Sequence, residues 1–307
     1  MEKDLIILPN SPVQFYLFDR VRACADGREA DLGSEKERCL IAALLMAKER
    51  LISRVDLLDW LWEDSAPESA PNDLDRYMGR LRRRLDDLGF KQVLVNRNRQ
   101  CQLKIPPKLV DVHCFRALVD EARVLEDEAA VERLRVALEL SEGEPLAGLA
   151  GPRIVAVRRQ LVEERRNAEL TFLRLEMKLG RHHEHLAHLT RLHHEQPADA
   201  EIAGLTMSVL HLVGRKPDAM TVYAHHHNSL DQEGFQVSKQ IRDLQTRILN
   251  DEGGEDFSMP ESERRTEQEA ADTTPPRAAP VRDRVINKVS SVSGENIVFG
   301  IQNQVRP

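Results

Sequence analysis

Aromatic side chains are scarce in this chain. Eight Phe, three Tyr and two Trp make up 4% of its 307 residues. With 41% hydrophobic and 31% charged residues, the composition is that of a soluble, helix-rich protein built on Leu, Ala, Arg and Glu. Cysteine is equally thin: Cys24, Cys39, Cys101 and Cys114 lie far apart and form no CxxC pair. That argues against a disulfide scaffold and a structural zinc site, and leaves reduced thiols as the expectation. Long apolar runs are missing as well, since Leu40–Ala47 falls far short of the ~20 residues a membrane span needs and suits a buried helix. The start, Met1-Glu2-Lys3-Asp4, has no basic region ahead of an apolar stretch, so secretion is not expected and the cytoplasm is. No GxxxxGK[ST], GxGxxG or GxSxG occurs. Neither an enzyme nor a bound cofactor is expected.

What charge there is lies unevenly. The whole chain carries −7, yet residues 1–110 hold 19 Lys/Arg against 18 Asp/Glu, and within them residues 71–104 hold nine basic residues against four acidic ones. A concentrated basic segment in an acidic chain suits a small nucleic-acid footprint, because phosphate attraction depends on local charge. A solvated helix face would account for the charge equally well, so position has to decide.

The length suits two domains of roughly 150 residues. In the first, residues 13–22 are strand-like, Asp26-Gly27 is a turn signal, and a second short segment ends at Leu32. Ser34 and Glu37 form a capping box opening a helix through Ala47. Ser53 and Asp56 cap a second helix, Arg54 to Trp62, with Leu57, Leu58, Leu61 and Trp62 expected to be buried. Residues 63–71, with two prolines, are expected as a loop, and a third helix is expected from Asn72–Asp75 to about Leu88. At 100° per residue Leu74, Tyr77, Met78, Leu81, Leu85 and Leu88 share one face of it, and Arg76, Arg80, Arg83 and Arg84 share the other. Arginine suits such a stripe because its planar fork grips a phosphate, or the N7/O6 edge of guanine, in two places. A hairpin follows: Val93–Val95, a turn over Asn96–Gln100 carrying Arg97 and Arg99, then Cys101–Ile105. Sheet, three helices and a basic-tipped hairpin is the order of a winged helix-turn-helix, whose third helix enters the major groove.

The runs Leu32–Arg38, Leu57–Trp62 and Asn72–Leu85 resemble the DNA-binding domain of SARP-type transcriptional activators, the Streptomyces antibiotic regulatory proteins. The resemblance implies an OmpR-like winged helix followed, to about residue 250, by a bacterial transcriptional activation domain of helical repeats. It further implies dimer assembly on repeated DNA sites and response to partner proteins. Two departures stand out. Gln100-Cys101 occupies the place of a usual Gly-Tyr pair at the wing, and Leu140-Ser141-Glu142-Gly143 replaces the usual Leu-Trp-Arg-Gly of the second domain.

The repeats are legible without the resemblance. Gly180-Arg181-His182 and Gly214-Arg215-Lys216 open similar heptads, and their glycines stand 34 residues apart, the tetratricopeptide period. Helices are expected near 111–125, 128–140, 154–179, 182–195, 198–213, 217–231 and 236–250. His182, His185 and His188, with His193-His194 and His225-His226-His227, raise a metal question. There is no HExxH, and exposed polar positions in a repeat array explain the histidines more simply, so no metal is assigned.

Beyond the repeats, residues 251–284 hold ten Asp/Glu and four prolines, the composition of a disordered linker. Residues 285–307 are β-branched, rich in Asn, Gln and Gly, and suited to cross-β stacking or to pairing with another protein.

The expected protein is therefore mainly α: a winged helix over 1–108, a tetratricopeptide-like activation domain over 109–250, an acidic linker over 251–284 and a tail over 285–307. Its expected partners are double-stranded DNA, RNA polymerase, a second copy of itself on direct repeats, and an effector protein through the tail, with no membrane. Arg76, Arg80, Arg83 and Arg84 are expected on DNA, with Arg97 and Arg99 on phosphate. The competing expectation is an adaptor whose winged helix no longer reads DNA and whose repeat groove and tail recruit effectors.

Overall fold

The computed structural model describes residues 13–25, 28–48 and 50–251. The Asp26-Gly27 turn, the acidic segment after Asp251 and the tail lie outside the described residues. Among the described residues no helix is long and apolar enough to cross a membrane.

The first strand-like stretch divides. β1 (Val13–Tyr16), β2 (Arg22–Ala25) and β3 (Arg28–Ala30) form an antiparallel sheet in that order, with Phe15 opposite Ala23. Residues 13–22 were expected as one strand, but Leu17, Phe18 and Val21 are all buried, a pattern strand alternation cannot deliver. The chain turns there because the Leu17 and Phe18 amides donate to one carboxylate oxygen, Asp111 Oδ2, at 2.8 and 3.0 Å.

α1 (Glu35–Met46) begins at the expected capping box, and α2 (Arg54–Trp62) begins at Ser53, whose hydroxyl accepts from the Asp56 amide. Just ahead of α2, β4 (Ile52–Ser53) joins the second sheet. Burial in α2 differs from expectation. Leu57, Trp60 and Leu61 are buried at i, i+3, i+4, whereas Leu58 and Trp62 are only half-buried, and Trp62 stacks on Tyr77 with ring centroids 6.0 Å apart. After a 3₁₀ turn at Glu63–Ser65, α3 (Ala70–Asp87) starts two residues earlier than expected. Pro71 falls in its first turn, where the missing N–H costs nothing. β5 (Leu94–Arg97) and β6 (Gln100–Leu103) make the hairpin, and β4 pairs with β6 to give the order β4-β6-β5.

Among the described residues seven α-helices follow: α4 (Asp111–Ala122), α5 (Asp127–Leu140), α6 (Pro152–Lys178), α7 (His182–Glu195), α8 (Ala200–Leu212), α9 (Lys216–Glu233) and α10 (Lys239–Leu249). All match an expected segment. Gly180 and Gly214 take the left-handed conformation at φ +78° and +76°. α8 is buried all round from Ala200 to Leu210, as a helix apolar on every face must be.

One apolar core runs from Phe15 in β1 to Ala168 in α6, and a second joins α6, α7 and α8 through Leu173, Leu189, Leu192 and Leu205. The first core crosses from winged helix to helical array without a break. The segment after α5 lies against the first sheet, where the Leu146 amide donates to Leu17 O at 2.8 Å. Gly143 stands so close that a Cβ would lie 3.0 Å from Phe18 O. Arg158 and Arg165 hold this segment through the carbonyls of Pro145, Leu146 and Leu149, and of Ser141 and Gly143. From the other side, Glu63 Oε1 accepts from the Arg153 amide in the first turn of α6 at 3.3 Å, where a carboxylate meets the positive end of the helix dipole.

Candidate nucleic-acid interface

α3 presents two chemistries. Leu74, Met78, Leu81 and Leu85 are buried, while Arg76, Arg80, Arg82 and Arg83 are exposed. At 3.6 residues per turn Arg76, Arg80 and Arg83 fall in a sector about 60° wide, with Arg84 beyond one edge of it and Arg82 beyond the other. Arg83 and Arg82 meet no carboxylate among the described residues. Arg76, with 73% of its side chain exposed, pairs with Asp73 one turn earlier. Arg80 Nε lies 3.1 Å from Glu37 Oε1, and its guanidinium stands over the Tyr77 ring.

Arg84 serves differently from the other three expected contacts. Its Nη1 reaches Asp31 Oδ2 at 2.7 Å and Asp31 O at 3.1 Å, and its Nη2 lies 3.7 Å from Glu37 Oε1. With three such partners and 27% of its side chain exposed, Arg84 acts as a strut between α3 and the loop before α1. The Gly33 amide, followed by Arg84, holds the Asp31 carboxyl below its ordinary range.

Glu37, which the sequence shows only as half of a capping box, is the hub beneath these side chains. Its carboxylate accepts from both the amide and the hydroxyl of Ser34 at 2.8 Å while facing Arg80 and Arg84. Burial alone would push this carboxyl up. The Ser34 hydrogen bonds and the two guanidinium charges outweigh burial and hold it below the usual carboxylate range.

Gly79 is a second feature that sequence reasoning passed over. On the helix face it falls about 40° beyond the Arg83 edge of that sector, on the Arg82 side, and a Cβ added there would find nothing within 4 Å. Glycine inside an 18-residue helix costs about 1 kcal/mol relative to alanine, which is the signal that could have found it. The result is a bare patch of backbone beside the arginine sector.

The hairpin tip is a two-residue turn at Asn98 (φ +52°) and Arg99 (φ +60°), the type I′ geometry that matches strand twist. Arg97 and Arg99 are both exposed there. Cys101, which fills the wing position where an aromatic is usual, is buried opposite Ile52 of β4, and burial pushes its thiol up. The Arg54 amide donates to Arg99 O at 3.0 Å, and its guanidinium reaches Asp75 at 2.6 Å and Pro71 O at 3.2 Å. One residue therefore ties the wing to the start of α3.

The histidine face of α7 is used internally. His185 Nε2 meets Glu176 at 3.2 Å and His188 Nε2 meets Glu169 at 2.7 Å, both carboxylates belonging to α6.

Comparison with known proteins agrees with this arrangement. Residues 27–100 match the family described as transcriptional regulatory protein, C terminal, and residues 110–249 match the bacterial transcriptional activator domain. The chain is 32% identical over 243 residues to the regulatory protein AfsR of Streptomyces coelicolor, covering 77% of this chain and 24% of AfsR. It is 28% identical over 241 residues to the regulatory protein DnrI of Streptomyces peucetius, covering 74% of this chain and 89% of DnrI. Among solved structures it is similar to Mycobacterium tuberculosis EmbR in complex with a low-affinity phosphopeptide, with a TM-score of 0.74 and 25% identity over 85% of this chain and 69% of that one. The chain thus spans about a quarter of AfsR. These relatives are regulators of transcription, not enzymes.

Proposed function

Starting from a chain that belongs to the SARP-type transcriptional regulators, we propose that it binds double-stranded DNA sequence-specifically. α3 lies in the major groove, and Arg76, Arg80 and Arg83 face base edges or flanking phosphates beside Gly79. Arg97 and Arg99 touch the neighbouring backbone, and Arg84 positions α3 rather than reading a base. The supporting observation is the three-arginine sector beside a bare glycine, underpinned by a buried carboxylate. Two copies sit side by side on direct repeats, and the helical array recruits RNA polymerase. The tail, residues 285–307, is assigned on composition alone as a contact for an effector protein.

Fluorescence anisotropy of the full chain on its own upstream DNA and on a scrambled control, across a salt series, tests this reading. Arg83→Ala is expected to weaken binding to the cognate site by about 1–3 kcal/mol and to narrow the gap to the control. Arg97→Ala is expected to weaken both alike and to lower the log–log salt slope by about one. Equal, weak binding to both DNAs by the unmutated chain would overturn the proposal and favour the adaptor reading. Gly79→Ala separates folding from recognition. It is expected to raise thermal stability, since alanine gains about 1 kcal/mol in a helix, while lowering DNA affinity by placing a methyl group where the duplex approaches. A variant that gained on both measures would remove Gly79 from the interface.

A further inference from the structure

α7 and α9 bring three imidazoles together outside the DNA-facing surface. His193, buried near the end of α7, turns Nε2 toward Nδ1 of His225 on α9, 3.2 Å away, with the rings edge to face and their centroids 5.0 Å apart. His194 is the exposed neighbour, its ring centroid 6.2 Å from that of His193 and 5.9 Å from that of His225. His193 Nδ1 is buried and has no hydrogen-bond partner among the described residues. Burial, and after it the neighbouring imidazoles of His225, His226 and His194, push the His193 pKa down to about 4.

Two facing imidazole nitrogens at this distance share one hydrogen. Two nitrogens on one tetrahedral zinc ion, each about 2.0–2.1 Å from it, lie about 3.3 Å apart, close to the separation found here. We propose that His193 Nε2, His225 Nδ1 and the His194 ring form a site for one divalent d-block cation of the kind imidazoles hold, zinc or nickel, with solvent as the fourth ligand. The ion fastens the end of α7 to α9. Binding requires that the shared hydrogen leave the gap, the donating ring becoming the tautomer protonated at its remote nitrogen, that both rings turn so their lone pairs converge on the ion, and that the exposed His194 rotate inward.

Glu176, Glu184 and His185 are the competing cluster, with ligand atoms within 4.8 Å of one another. The Glu176 carboxylate is already neutralised by Arg181 at 3.2 Å and Arg135 at 3.7 Å, and two guanidiniums repel a cation. Imidazoles carry no such conflict.

The test is titration of the untagged, chelator-stripped full chain with zinc chloride, and separately nickel chloride, against a colorimetric chelator. The expected result is one ion per chain and a higher Tm in its presence. His225→Gln, at an exposed position that leaves the fold intact, is expected to cost more than the roughly 10–100-fold that loss of an outer-shell partner costs. His194→Gln is expected to weaken binding less, and the double variant Glu184→Gln, His185→Gln is expected to keep it. Undiminished affinity in His225→Gln would overturn the assignment, as would loss of the ion in the Glu184/His185 double variant or no uptake at micromolar metal.

Discussion

Asp111→Ala is expected to destabilise the protein by about 3 kcal/mol or more at pH 7, read as a drop in the urea midpoint. The carboxylate accepts from the Leu17, Phe18 and Val112 amides at 2.8, 3.0 and 2.6 Å. Each buried N–H left unsatisfied costs about 1–3 kcal/mol, and removing the cost of burying the charge offsets only part of that. The same site makes a signed pH prediction. Burial, opposed by those three hydrogen bonds, pushes the Asp111 pKa from 3.8 up to about 6, so the folded protein binds the proton more tightly than the unfolded chain. The stabilising contribution of protonation is then fully present below the unfolded value and is lost as pH rises through about 6. Against the non-titrating Asp111→Asn variant, the unmutated protein should gain about 1.4 kcal/mol in relative stability between pH 8 and pH 5. A difference that stays flat over that range would show that the group does not titrate as its surroundings dictate.

The second large effect is expected at Glu37. Its replacement by alanine removes the N3 half of the α1 capping box while the Ser34 cap stays, and leaves the Arg80 and Arg84 guanidiniums without their shared partner. Breaking one side of a buried pair costs about 3–5 kcal/mol. Because Arg80 and Arg84 are only partly buried, with 44% and 27% of their side chains exposed, about 3 kcal/mol in total is expected. Specific DNA affinity should fall as well, since Arg80 loses its anchor. Glu37→Gln provides the internal control: glutamine still closes the cap but carries no charge, so stability should recover more than affinity does. Equal recovery of both would assign Glu37 to folding alone.

Capping signals were legible because they are local. Ser34 and Glu37, or Ser53 and Asp56, lie three residues apart and meet within one turn, so the starts of α1 and α2 could be placed from spelling alone. The 34-residue glycine spacing worked for the same reason, since each repeat contacts its neighbours. What the sequence hid depends on partners far along the chain. The break after Tyr16 is caused by a carboxylate more than ninety residues on, and the strut role of Arg84 depends on Asp31 and Glu37, which precede it by about fifty. A helical wheel placed Arg84 with the other arginines because a wheel knows only its own helix. Gly79 was visible all along, but as a weak helix former rather than as an absent side chain on a charged face.

The connection between the two segments bears on how the protein can signal. Ile105 and Val110 are buried, with Pro106 and Pro107 between them, so the chain enters the array with no slack. Gly143, Leu146 and Glu63 close the seam from other directions. The winged helix has no swivel against the array. On the proposed function, a copy seated on one site would hold its repeats at a fixed azimuth around the duplex, and a neighbour would meet it only where the DNA returns to the same phase, about every 10–10.5 base pairs. Half a turn of extra DNA between the sites would set the two arrays on opposite sides of the double helix, out of each other's reach.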